Sequence, residues 1–167
     1  CAPSRNSTIT GRYPHQLGYY GNGDRDFLPK DIRGFPESLQ QAGYYTAFFG
    51  KSHLSPDQTG LGGSSGKMRE KGMIRQFGFD YVMQHVGRFS SLKAAQRARE
   101  RLAAGGAWEY GDNRYLDHLY DRGLLDTFIA DDGRPTSLPA DDYQEGFIAR
   151  HAVDWIASYD RSKPFFM

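Results

Sequence analysis

The chain has 167 residues and a single cysteine, Cys1. One thiol excludes an internal disulfide framework and any cysteine-rich zinc site. No apolar run approaches the roughly 18 residues of a membrane-spanning helix, so no membrane span is expected. Charge of one sign is also lacking: 21 Lys and Arg stand against 20 Asp and Glu, a net +1, so no global field recruits nucleic acid or acidic lipid. What is abundant is ring surface. The mean hydropathy is low, −0.69, yet 11 Phe, 11 Tyr and 2 Trp supply enough buried area per side chain to oppose disorder.

The length fits one domain of ordinary size. The ends read otherwise: the chain opens on Cys1-Ala2-Pro3-Ser4-Arg5 and stops at the strand-like Lys163-Pro164-Phe165-Phe166-Met167. Both resemble cuts from something longer, and the missing leader then says nothing of localisation. Pro3 suits the first turn of a helix that runs to Gly11. Residues 13–29 carry too much Gly, Pro and Asn for a regular element and read as a loop. A short helix over Phe35–Ala42, the Gly43 turn and a β-rich run over Tyr44–Phe49 predict α/β layering.

Farther along, 55–72 reads as a loop or insertion, and Phe77–Met83 as a second strand. Helical spacing of Leu92, Ala95, Ala98 and Leu102 predicts a helix over Ser91–Ala104. Asn113–Leu124 reads as a further helix, followed by a loop to Pro139. The clearest helix runs from Asp142 to about Tyr159, with Asp141 as its cap and Gln144 three residues on. Its apolar stripe is Tyr143, Phe147, Ile148, Ala152, Trp155 and Ile156.

The segment that carries chemistry is Cys1-Ala2-Pro3-Ser4-Arg5-Asn6-Ser7-Thr8-Ile9-Thr10-Gly11-Arg12. It resembles the Cys-x-Pro-Ser-Arg-x-x-x-x-Thr-Gly-Arg motif of the type I, formylglycine-dependent sulfatases at every fixed position. A second run, Ala42-Gly43-Tyr44-Tyr45-Thr46-Ala47-Phe48-Phe49-Gly50-Lys51-Ser52-His53-Leu54, is similar to the family's Ala-Gly-Tyr-x-Thr-x-x-x-Gly-Lys-Trp-His-Leu, with Ser52 in place of Trp. That change bears on packing or substrate fit more than on chemistry. Phe77-Gly78-Phe79-Asp80 and the terminal Lys-Pro-Phe-Phe are weaker echoes.

The resemblance implies an alkaline-phosphatase-like α/β domain with a mostly parallel sheet between helices. Residues 1–167 would be a partial catalytic domain beginning at the nucleophile cysteine, with loops or insertions about 55–72 and 105–140. It further implies that Cys1 is oxidised to Cα-formylglycine, whose geminal diol attacks a sulfate monoester, forms a covalent sulfated intermediate and releases sulfate through its second hydroxyl. Placed at a helix N-terminus, Cys1 would meet free N–H groups and a dipole that favour an anion. Arg5, one turn on, would share its face and donate forked hydrogen bonds.

By the same resemblance Lys51 binds the sulfate and the nucleophile, and His53 hydrogen-bonds the formylglycine hydroxyl and aids elimination. Their i, i+2 spacing after a strand would aim both to one side, at its carboxyl end. The family holds a divalent cation, usually Ca2+ with Mg2+ as the alternative, against the formylglycine at position 1, the other ligands lying upstream and far downstream. Residues 1–167 are therefore expected to bind no catalytic calcium tightly, and to be unstable and inactive in isolation. Implied partners are a sulfated small molecule or glycan and a formylglycine-generating or anaerobic maturation enzyme. The implied location is periplasmic or secreted.

Other residues read more plainly. His15 is assigned a structural role, and His85, His118 and His151 lack zinc spacing. Asp131-Asp132 reads as a solvated turn, and Asp141-Asp142 as a helix cap. The basic helix around Lys93–Arg101 reads as a solvated face, without nucleic-acid motifs. Gly60–Lys67 fails as a phosphate loop because Leu61 and Met68 occupy required positions. Three other functions compete with sulfate ester hydrolysis: a phosphonate monoester or phosphodiester hydrolase with the same nucleophile, an amidase using Cys1 as an N-terminal nucleophile, and a non-catalytic module.

Overall fold

A computed structural model describes residues 1–22, 32–54, 77–111, 113–132 and 137–167. The chain divides into two compact units, one from the described residues of 1–54, 77–84 and 160–167, the other from those of 85–159.

The first unit begins with α1, Ala2–Thr10, which has Pro3 in its first turn and ends at Gly11 in the left-handed region (φ 69°). Only glycine takes that conformation cheaply, and its N–H closes the last turn on Ser7 O at 2.8 Å. Ala2, Asn6 and Ile9 form the buried face, the spacing that stacks side chains on one side of a helix. Asn6 is wholly buried and donates from Nδ2 to Ala2 O at 2.8 Å. A short α2, Pro14–Leu17, follows inside the stretch expected to be a loop. Pro14 presets its first turn, and Gln16 Oε1 accepts the Tyr13 N–H at 2.9 Å. The residues from 23 to 29 of that stretch lie outside the described ones, as does all of 55–72.

Helix α3, Phe35–Gln41, turns through Gly43 into strand β1, Tyr45–Gly50. β1 is central, with β2 (Tyr81–Gln84) and β3 (Phe165–Phe166) parallel on either side. Ala47 pairs with Tyr81 and Tyr45 with Phe165. The second strand thus starts at Tyr81, four residues later than the aromatic run suggests. Gly78 explains the delay: its φ is 91°, and a Cβ there would sit 2.2 Å from Glu37 N. Phe77 and Phe79, flanking it, are buried in a core with Ala2, Ile9, Leu17, Tyr19, Ile32 and Leu54.

Asp80 then locks the segment to β1. Its carboxylate accepts from Thr46 N at 2.9 Å, Thr46 Oγ1 at 3.0 Å and Gln40 Nε2 at 2.7 Å, and Thr46 Oγ1 also lies 2.6 Å from Gly78 O. Thr46 is fully buried, where unpaired polar groups are costly.

In the second unit α4 spans Arg88–Ala103, starting three residues earlier than its apolar spacing shows and burying Ser91, Leu92, Ala95 and Ala98. Its basic face is exposed and carries ion pairs from Arg99 to Asp126 (2.6 Å) and Arg101 to Glu109 (3.2 Å). Exposed pairs of this kind contribute little to stability. Asn113 caps α5, Arg114–Asp121, by accepting from Tyr115 N and Leu116 N. A further helix, α6 (Leu125–Ala130), lies where a loop was expected; Leu125 and Phe128, buried, anchor it.

Helix α7 spans Gln144–Ser158 after a 3₁₀ turn over Ala140–Asp142. The expected cap is corrected here: Tyr143 holds the N-cap position without a side-chain bond. Asp142 is 1% exposed, accepting from His118 Nε2 at 2.7 Å and Arg122 Nε at 3.0 Å. One helical turn separates those two donors on α5, so both reach one carboxylate. Of the predicted α7 stripe only Phe147 is buried, and Ile156 is exposed.

His85 is 2% exposed, and its Nδ1 donates to Val86 O at 2.6 Å beside the Gln144 carboxamide. Burial holds its pKa below 6.5. The unfolded chain takes up a proton near pH 6.5 while the folded one resists, so folding stability falls as pH drops below that value, levelling off once the folded pKa is passed. Chemical denaturation at stepped pH should show this loss, and His85→Asn should flatten it. Thr46→Val keeps the shape but removes the hydroxyl; urea unfolding should show a loss of about 1–3 kcal/mol.

Candidate active site

Cys1 occupies the N-cap position of α1, exposed and free. Arg5, one turn on, donates from Nε to Cys1 Sγ at 3.0 Å, so the two share a helix face as expected. The same guanidinium donates through another nitrogen to the backbone oxygen of Lys51. Arginine alone among the basic side chains has a rigid fork that serves two acceptors in this way.

Lys51, Ser52 and His53 run past the carboxyl end of β1. Strand alternation does not aim them, because Gly50 has φ 104° and His53 sits in the left-handed region at φ 53°. That corrects the i, i+2 argument: an extended period of two ends at Gly50. The groups are nevertheless near one another. The His53 pKa is lowered from 6.5, first by burial and then by the positive charges of Lys51, the amino terminus and Arg5. Its imidazole is therefore neutral at pH 7, with Nδ1 buried and without a hydrogen-bond partner among the described residues. Ser52 is 2% exposed, so the position at which the motif carries Trp is an interior one.

The helix N-terminus offers less to an anion than its dipole suggests. Asn22 Oδ1 takes the Ala2 N–H at 2.9 Å, and Pro3 has none. Of the first three helical residues, this leaves the Ser4 N–H. Positive charge at the site therefore comes chiefly from side chains. Asn22 was not legible beforehand; the only sequence signal is that Asn readily caps helices. His15 stacks on Tyr13 with ring centroids 5.7 Å apart.

The residues around Cys1 do not by themselves fit a calcium ion. Arg5 and Lys51 are donors, His53 offers nitrogen, and calcium requires six or more oxygens. No cluster of three or more His, Cys, Asp or Glu able to hold a metal occurs among the described residues.

The site thus joins an exposed cysteine at a helix start, held by arginine, to lysine and histidine past a parallel strand. The Sulfatase family model matches residues 1–167. The chain belongs to the sulfatase family.

Sulfatase relatives align over shorter stretches. The uncharacterized sulfatase YdeN of Escherichia coli K12 is 48% identical over 54 residues, 32% of this chain and 10% of that protein. An N-acetylglucosamine-6-O-sulfatase of Bacteroides thetaiotaomicron is 41% identical over 59 residues, 35% of this chain and 10% of its own. Among solved structures, the phosphonate monoester hydrolase of Agrobacterium radiobacter superposes with a TM-score of 0.60 at 19% identity, covering 99% of this chain and 30% of that one. Ps i-CgsB gives a TM-score of 0.55 at 20% identity, over 99% and 33%. The sulfatase chain thus spans about a third of the length of these structures. The likeness establishes the alkaline-phosphatase-like α/β fold with its parallel sheet. No helix among the described residues is long and apolar enough to cross a membrane.

Electrostatic coupling within the site has a direct readout. NMR titration should place the His53 pKa below 6.5, and Lys51→Met, which removes one of the positive charges that lower it, should move it upward. An unmoved titration would show that the lysine charge does not reach the imidazole.

Proposed function

We propose that this sulfatase hydrolyses sulfate monoesters, with Cys1 converted to Cα-formylglycine as the nucleophile and Arg5, Lys51 and His53 as the groups that serve it. The observation that carries the reading is the Arg5 guanidinium, which holds the Cys1 side chain and the Lys51 backbone together.

Once converted, the residue would supply a hydrated aldehyde, one hydroxyl of which bonds to sulfur as the ester S–O bond breaks, its proton passing on balance to the departing alcohol, so that hydrolysis is split into two steps. Arg5 orients that hydroxyl and meets the sulfate oxygens with fixed charge-assisted donors. Lys51 adds a second positive charge where negative charge gathers. His53, neutral at pH 7, takes a proton from the residue-1 hydroxyl as sulfate departs, the role of a base poised near the operating pH. A divalent cation would draw its oxygen ligands from groups other than Arg5, Lys51 and His53. The substrate is a sulfated small molecule or glycan, and an exported location accords with that.

A phosphonate monoester is the second reading. The structural likeness to a phosphonate monoester hydrolase extends to fold alone, and cationic donors around a tetrahedral anion serve either substrate.

Activity of the full-length protein on an aryl sulfate and an aryl phosphonate, expressed with a maturation enzyme, tests both readings. The sulfate should be preferred, and mass analysis of the Cys1 peptide should show an aldehyde in place of the thiol. Cys1→Ala should abolish turnover. Arg5→Lys should cost about 10²–10³ in kcat, the scale of losing one preorganised donor. A Cys1→Ala variant with unchanged activity would remove the nucleophile assignment.

A further inference from the structure

The peptide unit joining Cys1 to Ala2 is held from both sides. Its oxygen accepts the Arg5 N–H at 3.1 Å, the first bond of α1. Its N–H, which a helix normally leaves unsatisfied at this end, donates to Asn22 Oδ1 at 2.9 Å, from a residue twenty positions away. Cys1 itself makes no side-chain cap. An ordinary cap comes from the residue preceding its own helix; here that residue is the candidate nucleophile, whose side chain is needed elsewhere, and the capping acceptor comes from another segment. With both polar groups of the peptide bonded, the plane is fixed, and with it the position of the residue-1 Cα, from which the side chain reaches the Arg5 guanidinium.

From this geometry we infer that Asn22 is a positioning residue for the nucleophile, holding the Cys1–Ala2 peptide so that the residue-1 side chain meets the Arg5 guanidinium. The inference rests on the proposed sulfate ester hydrolysis and deepens it. Asn22 acts on the backbone, whereas Arg5 contacts the Cys1 side chain itself, at Sγ. A neutral carboxamide suits this place because it accepts one hydrogen bond without adding negative charge beside an anionic substrate. An aspartate would keep the acceptor but bring that charge.

The test uses the full-length, formylglycine-containing protein with Asn22→Ala and Asn22→Asp. Misplacing a reacting group by about 1 Å costs on the order of 10²-fold, so Asn22→Ala should lower kcat about 10–100-fold. KM for an aryl sulfate should stay within about 2-fold and the melting temperature should be unchanged, because the substrate's cationic partners remain. Asn22→Asp, which retains the acceptor, should recover a large part of the lost kcat. Wild-type kcat in Asn22→Ala would overturn the inference, as would a kcat loss matched by a fall in melting temperature, which is the mark of a structural role.

A second measurement separates this inference from the functional reading. In unconverted protein, where Cys1 is still a thiol, iodoacetamide alkylation needs no sulfate ester activity. Asn22→Ala should slow it several-fold as the thiolate loses its fixed place beside Arg5. If wild-type protein proves inactive on sulfate esters, that rate alone decides: slowed alkylation supports the positioning role, and an unchanged or faster rate overturns it.

Discussion

Arg5 joins two segments that lie 46 residues apart, taking Cys1 Sγ with one nitrogen and the Lys51 backbone oxygen with another. The remainder of the first unit serves that junction. Cys1 must sit at the N-cap of α1 for residue 5 to fall one turn along the same face, and β1 must end at Gly50 for the Lys51 carbonyl to be released from the sheet. A guanidinium is the one side chain whose donors are both rigid and divergent enough to span such a pair without losing its charge. The interaction thus fixes geometry and concentrates positive charge in one place.

Two supports keep those segments where Arg5 needs them. On the strand side, Asp80 and Thr46 exchange hydrogen bonds at the start of β1, and Gly78 lets the chain pass against α3 at a distance no side chain permits. On the helix side, Pro3 and Asn22 remove two of the N–H groups that would otherwise seek an anion. The consequence is electrostatic. In the proposed reaction, recognition of a tetrahedral anion falls to Arg5 and Lys51, and the proton exchange to His53, whose pKa is lowered by burial and by those same charges.

The second unit rests on a different interaction. Asp142 receives His118 and Arg122 from consecutive turns of α5, tying the turn before α7 to that helix. A buried carboxylate without partners is too costly to survive folding, so the pair of donors belongs with the burial. Neither donor stands out in sequence, since histidine and arginine on a short helix usually face water. The Asp141-Asp142 dipeptide looks like a cap for the same reason: local patterns cannot tell a solvated carboxylate from one whose partners lie 20 or more residues away.

By itself the sequence determined the family. Cys1, Arg5, Lys51 and His53 stood out in two motifs whose residue types and spacings are specific, and the helix–Gly43–strand layering followed from local propensity and turn chemistry. Tertiary structure decided what spacing could not. It ended the extended backbone at Gly50 and put His53 in a left-handed conformation, so the grouping with Lys51 does not come from strand alternation. It filled the α1 N-terminus from Asn22, found α6 where the composition suggested a loop, and buried Asp142. Each of these depends on contacts between residues distant in sequence, whose free energy is set by burial and partner geometry, and neither quantity is written in a local pattern.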